Sequence, residues 1–464
     1  MGARAAEQAT PASVLAWLQD ILRERFHADL LLKQVEPAFC ELTIPGDAHA
    51  IRISSAFGRF EHSDPAELPC TDWQPRDTRW LPRESGPLPA PGYAALPASV
   101  VEHDAVARMR TLHYDVLSLA YWMLSRREEL GAAHALDDNQ RFRAEASHAG
   151  RHGYLERPVV DEWLEVLRRL VRSAWPELPL RETQYRTCVS HDVDSPARYG
   201  FIGPLRLTRA MCADALRGRP IRTVLRAPSI RLASARQLDP RDPYNTFDWI
   251  MQRSEDSGLR SAFYFICGHT DHKRDGHYTP EHPAIIDLLR RIHARGHEIG
   301  LHPSYHCYRD PEALQTEAAR LRRACDRAGV RQAEIGARMH YLRWEMPTTL
   351  HALEAAGVVY DTTPGWAKHP GFRCGTCHEY PAFDPLTKRA LRLRIRPLVV
   401  MESTVLRGAK DDPAALESRL RQLMETCQRV NGQFTVLWHN TMLEHAWQRT
   451  VYERMLLSGR RARS

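Results

Sequence analysis

From residue 186 onward the chain alternates short apolar stretches with helical ones, and this constrains its fold more than any other feature. RTCVSH, SAFYFIC, HEIGLH, EIGAR, VVYD, LVVMES and FTVLWH each read as a strand, an apolar run closed by polar residues. Between them, helical periodicity predicts helices over 247–255, 285–294, 312–328, 347–356 and 413–430. Strands joined by helical crossovers lie parallel in one sheet, and this many of them predict a (β/α) barrel. The first 180 residues follow another pattern: a helix over 13–25, a strand-like stretch over 40–53, a proline-rich passage over 68–97, then helical periodicity in HYDVLSLAYWMLSRREEL and VDEWLEVLRRLVRSAW. A chain of 464 residues is too long for one ordinary domain. The expected organisation is a smaller α+β domain over 1–180, without a catalytic constellation, and an α/β barrel over 181–464.

Charge is unevenly placed. The net charge is +7, and the stretch 195–242 alone carries ten arginines against three acids. Such a basic insertion is expected either to be a solvated helical excursion or to meet an anionic membrane surface or acidic ligand. No apolar run is long enough for a membrane-spanning helix. The opening MGARAAEQATPASVLAWLQDILRERF lacks the basic start, unbroken apolar core and cleavage site of a secretory signal. With ten scattered cysteines besides, reduced thiols and a cytoplasmic location are expected.

In a parallel barrel, chemistry collects where strands end. SHDVD, GLHPSYHCY, ARMHY, YDTTPGW and LWHN all stand at such ends. Asp192 and Asp194 are two apart at the end of the first strand, so they share a face. Carboxylates that close raise one another's pKa unless a cation lies between them or they do different work. His302 and His306, four apart, share a face if the segment turns helically, and two imidazoles with one carboxylate leave a catalytic metal an open position. The third ligand is then an aspartate of the first strand. Cys374 and Cys377 form a CxxC with no second pair spaced to complete a zinc site, and read as thiols in a loop.

SHDVD, followed by HPSYH, RMHY and a late LWH, resembles the ordered motif set of polysaccharide deacetylases, carbohydrate esterase family 4. GHEIGLHPSYH, DTTPGWAKHPGFRCGTCHEYPAFD and the long N-terminal extension resemble a bacterial branch of that superfamily. The resemblance covers about residues 186 to 440. It implies a distorted (β/α) barrel of the deacetylase type, with Asp192 as catalytic base and Asp194, His302 and His306 as metal ligands. Arg338 would steady the base, although His340 stands where the family favours proline, and His439 would be the general acid. Where the family has adjacent aspartates, Val193 is inserted here. Tyr341 belongs to the same motif and is expected to bind substrate, together with Trp366 and Arg373 in a polar loop that also holds Asp361. Trp366 would either stack on a sugar or pack within its loop. The implied cofactor is a divalent ion, zinc first, with cobalt, manganese or nickel as alternatives.

The expected activity is removal of N-acetyl groups from sugars of a bacterial surface polysaccharide or its precursor. The alternatives are hydrolysis of a small non-sugar amide or imide, or a non-catalytic sugar-binding protein with a retained pocket. The expected partners are an N-acetylated sugar or polysaccharide precursor and, through the basic insertion, an anionic lipid-diphosphate carrier or the inner membrane face. No nucleic acid is expected.

Overall fold

The computed structural model describes residues 9–74, 78–80, 82, 86–406 and 412–459. The chain gathers into two compact units. The first comprises Met1–Arg186, Pro364–Val399 and Gln422–Phe434; the second comprises Thr187–Thr363, Val400–Arg421 and Thr435–Ser464.

The first unit is built on a five-stranded mixed sheet. Leu31–Glu36, Phe39–Thr43 and Ala50–Ser54 run antiparallel in that order, and Ala50–Ser54 then pairs in parallel with Met109–Leu112. In the strand AIRIS, Ile51 and Ile53 are buried while their neighbours are half-exposed, the period of two that a one-faced sheet demands. Helices Ala12–Phe26, Val116–Leu124 and Val159–Ala174 supply the other apolar faces. The segment Pro364–Val399, distant in sequence, joins this body through particular bonds. Gly375 O accepts from Val160 N at 2.9 Å, and Cys377 N donates to Asp161 at 2.9 Å. A single cut at residue 180 therefore does not describe the boundary, because periodicity reports a segment's own faces and not the body against which they pack.

The second unit contains strands β1 (Arg186–Val193), β2 (Ser261–Ile266), β3 (Glu298–His302), β4 (Gly336–Ala337), β5 (Tyr360–Asp361), β6 (Val400–Met401) and β7 (Gln433–Leu437), the first and last of which begin in segments of the first. Their order is β5-β4-β3-β2-β1-β7-β6. The pairs β1–β2, β2–β3, β3–β4, β4–β5 and β6–β7 are all parallel. The architecture is mixed α/β with a curled, parallel-rich half-barrel sheet, a coarser description than the distorted (β/α) barrel expected from the sequence. Tyr264 and Tyr360 fill the space beneath the strand ends, their hydroxyls 2.9 Å apart. They can do so only because Gly300 and Gly336 lack side chains: a Cβ there would lie 2.2 Å from the Tyr264 ring and 2.0 Å from the Tyr360 ring. The glycines of HEIG and EIGAR thus make room for the floor of the site.

The basic insertion folds as two helices, α1 (Pro204–Leu216) and α2 (Ile221–Ala233). The turn between them passes through Gly218 at φ 74°, which costs glycine little.

Candidate functional site

Register places the polar strand ends on one face. Asp192 pairs with Tyr264 across β1–β2, Ile266 with His302 across β2–β3, and Leu301 with Ala337 across β3–β4. Backbone bonds from Arg338 N to Leu301 O (3.0 Å) and from His340 N to Pro303 O (3.1 Å) carry the β3–β4 pairing past the strand ends. With side chains alternating, Asp192, Asp194, His302, Arg338 and His340 all project to the same side.

Within this group Asp194 Oδ1 lies 3.2 Å from His302 Nε2 and 3.5 Å from His340 Nε2. The outer nitrogen of each ring is already committed. His302 Nδ1 meets the carbonyl oxygen of Arg338, which can only accept, so Nδ1 donates there and Nε2 is the ring nitrogen turned toward the carboxylates. His340 Nδ1 lies 2.9 Å from Asp275 Oδ1, whose buried carboxylate is held below the usual range, against its burial, chiefly by that imidazole. The two Nε2 atoms converge on Asp194 Oδ1, a buried oxygen with no hydrogen-bond partner among the described residues.

Two imidazole nitrogens and a carboxylate oxygen that meet in this way form a ligand set for one cation. Ligands about 2.0–2.2 Å from one tetrahedral ion stand about 3.3–3.6 Å apart, close to the separations found here. An outer hydrogen bond to a carbonyl or carboxylate behind each imidazole is also how metal-binding histidines are oriented. Asp194, His302 and His340 fit a divalent ion.

His306 is not brought into this group. Its side chain is 53% exposed and its Nε2 lies 3.7 Å from Asp271, away from the three ligands. The reason is local: His302 ends a strand and not a helix, and the chain turns at Tyr305–His306, where His306 caps the short 3-10 turn Cys307–Arg309. A four-residue spacing shares a face only on a helix. The position read as a substituted proline, His340, stands in its place. In the sequence RMHY places His340 only near the strand end; the strand stops at Ala337 and His340 opens a 3-10 turn, so spacing does not assign its face.

Asp192 is buried at the inner edge of the group. Its Oδ1 accepts from Arg338 Nη1 at 2.9 Å, and its Oδ2 lies 3.7 Å from His302 Nε2. Arg338 is fully buried, donates also to Ser190 Oγ (2.9 Å) and Thr362 Oγ1 (3.2 Å), and lies over the Tyr264 ring. On the opposite side His439 Nε2 stands 3.6 Å from Asp194 Oδ2, and its Nδ1 is 2.7 Å from the buried Glu402. Burial opposes charge on this imidazole, but Glu402 and then Asp194 and Asp192 outweigh it and push its pKa up to about 10. Glu402 and Asp275 were missed in the sequence. Glu402 directly follows strand β6 in LVVMES, where an acid at a rim position was a legible signal, whereas Asp275 lies in the long loop after β2 and carried none.

Of the expected substrate residues, Tyr341 stands at the rim, 39% exposed, with its ring 4.7 Å from His340. Trp366 and Arg373 are seated in the core of the first unit. Trp366 packs with Ala135, Phe142 and Ala144, and Arg373 pairs with the buried Glu129 at 2.6 Å. Substitution of Arg373 by alanine leaves Glu129 short of a partner, and is expected to cost about 3 kcal/mol, read as a lower denaturant midpoint with unchanged metal affinity. Asp361 is likewise internal: it accepts from Trp344 Nε1 at 3.0 Å and Thr363 N at 2.8 Å, and burial pushes its pKa up to about 6. Cys374 and Cys377 are buried free thiols. Cys377 stands with Asp161 and His378 in a second ligand-type group, where Asp161 is already neutralised by Arg25 at 2.6 Å.

The model of a family of unknown function, DUF7033, matches residues 49–176, inside the first unit. No curated protein matches the chain. Among solved structures, a Mycobacterium smegmatis protein assigned as a polysaccharide deacetylase is similar at 18% identity and a TM-score of 0.35, over 59% of this chain and 82% of its own. A protein from Pseudomonas aeruginosa PAO1 with the same assignment is similar at 13% identity, and Puue allantoinase at 14%. Each of these two has a TM-score of 0.30 and covers 45% of this chain and 64% of its own. At these scores the likeness carries no functional weight.

Proposed function

We propose that the second unit is a metal-dependent hydrolase that removes N-acetyl groups from sugars of a bacterial surface polysaccharide or its precursor. The observation that carries this reading is the convergence of three ligand-type atoms, from Asp194, His302 and His340, between an arginine-held aspartate and a glutamate-held histidine. The motif resemblance supplies the substrate class. A bound divalent ion, zinc in the first instance, would polarise an amide carbonyl and acidify a water. Asp192 Oδ2, turned inward by the Arg338 bond on Oδ1, is the proton acceptor. His439 Nε2 is the proton donor to the departing amine, kept charged by Glu402 behind it. Arg338 positions the base, and Tyr341 forms part of the entrance.

The test is release of free amine from a panel of N-acetylhexosamines and their oligomers set against cyclic amides and ureides, with zinc-loaded protein. Deacetylation of the sugars is expected. Turnover of cyclic amides alone would move the reading to a small-molecule amide hydrolase, and no turnover of either would overturn it.

Glu402→Gln gives a separate readout. Losing the carboxylate lowers the His439 pKa, so the acid loses its proton at lower pH. The alkaline limb of the kcat/KM profile should shift downward, and kcat at neutral pH should fall by about tenfold or more, within the range a general acid contributes. A profile identical to wild type would remove His439 from that role.

A further inference from the structure

The basic insertion presents an unusual outer surface. Leu205, Leu216, Ile221, Leu225 and Leu232 are 61 to 90% exposed, five of the ten large apolar side chains left in solvent among the described residues, and all lie within 28 consecutive positions. They are not scattered around the helices. Leu205 and Leu216 are eleven apart on α1, and Ile221, Leu225 and Leu232 are four and seven apart on α2, spacings that align them in one stripe on each helix. The inner faces are already used: Tyr199, Leu207, Ala227 and Ile230 form a small core of their own between the helices. The outer stripes are therefore not displaced core residues.

Arginines border these stripes. Arg209, Arg217, Arg222 and Arg226 are exposed and form no ion pair among the described residues. By contrast Arg198 and Arg219, at the root, are consumed in holding the hairpin: both pair with the buried Asp214, and Arg219 reaches Glu444 as well. The insertion thus divides its arginines between a rigid attachment and a free cationic rim around exposed aliphatics.

We infer that the α1–α2 hairpin docks on an anionic membrane surface, its aliphatic stripes entering the headgroup boundary and its free arginines meeting lipid phosphates. Aliphatic residues flanked by arginine on a short helix are the composition of an interfacial helix, and the excess positive charge selects an anionic surface over another protein's neutral face. Attachment is peripheral: among the described residues no helix is long and apolar enough to cross a membrane. The root of α1, Phe201–Arg206, also lines a cleft of about 600 Å³ with the loop that carries His269, Asp275 and His277. Asp275 is the carboxylate that orients His340. A docked hairpin would thus set the mouth of the candidate site beside the headgroups, within reach of a substrate held on a lipid. The docking itself is independent of the reaction proposed above.

The test uses the full chain and vesicles of phosphatidylglycerol mixed with phosphatidylcholine, against phosphatidylcholine alone, in a flotation assay. Binding to the anionic vesicles, weakened by salt, is expected. Arg209→Gln, Arg217→Gln, Arg222→Gln and Arg226→Gln combined should lower partitioning by about a hundredfold. Leu216→Ser, Leu225→Ser and Leu232→Ser combined should lower it by about tenfold or more. A polarity-sensitive dye on the exposed Cys212, which shares the α1 stripe, reads the same event in otherwise native protein and should shift to shorter wavelength with anionic vesicles. Absence of that shift, equal binding to neutral vesicles, or partitioning unchanged in both variants would overturn the inference. So would a wild-type dimer that the serine variant converts to monomer, since the face would then be covered by a second copy.

Discussion

Protein carrying His340→Ala is expected to bind zinc at least about a hundredfold more weakly than wild type, and His302→Ala likewise, while His306→Ala keeps full affinity. The argument is geometric. His302 and His340 each direct Nε2 at Asp194 Oδ1, whereas His306 is turned to Asp271 and solvent. Removing a ligand does more than removing the group that orients it, and the latter already costs about 10–100-fold. Asp275→Asn supplies that smaller effect: the carboxylate behind His340 is lost but the imidazole remains. Titration calorimetry with zinc, or competition with a chromogenic chelator, reads all four variants. Loss of affinity in His306→Ala with none in His340→Ala would restore the pairing that the four-residue spacing suggested.

Asp192→Asn should keep its metal and lose turnover by about a hundredfold to ten-thousandfold, the contribution of a general base. Asparagine preserves the shape of the side chain, and its Oδ1 still accepts from Arg338, so the buried guanidinium keeps one of its bonds. What disappears is the inward oxygen's capacity to take a proton. Asp194→Asn separates the roles, because its Oδ1 is the oxygen on which both imidazoles converge, and loss of charge there should empty the site. Metal content by elemental analysis, set beside kcat on whichever N-acetyl sugar proves active, distinguishes the two. Equal metal loss in both variants would mean that the carboxylates share the ion.

Much of the second unit was legible in one dimension because strands and helices announce themselves by local period. RTCVSH, SAFYFIC and HEIGLH lie at strands Arg186–Val193, Ser261–Ile266 and Glu298–His302, and the predicted helix over 312–328 lies at Pro311–Ala328. Asp192 and Asp194 could be placed on one face for the same reason, and Arg338 and His439 could be placed at strand ends. Trp366 and Arg373 could not. A tryptophan and an arginine near a candidate site look alike whether they face a sugar or a core, and only long-range packing against Phe142 and Glu129 distinguishes them.

The amino-acid sequence by itself determined which segments of the second unit are strands, that their polar ends carry carboxylates and imidazoles, and that 195–242 is basic. Tertiary structure alone decided which imidazoles meet the aspartate. His302 and His306 are neighbours along the chain, yet a strand end followed by a turn sends them apart. His302 and His340 are 38 positions apart, yet the Leu301–Ala337 register sets them side by side. Periodicity is a property of a few consecutive residues. Register is fixed by hydrogen bonds between distant strands and by the core they enclose, so the identity of the third ligand is carried by pairing and not by spacing.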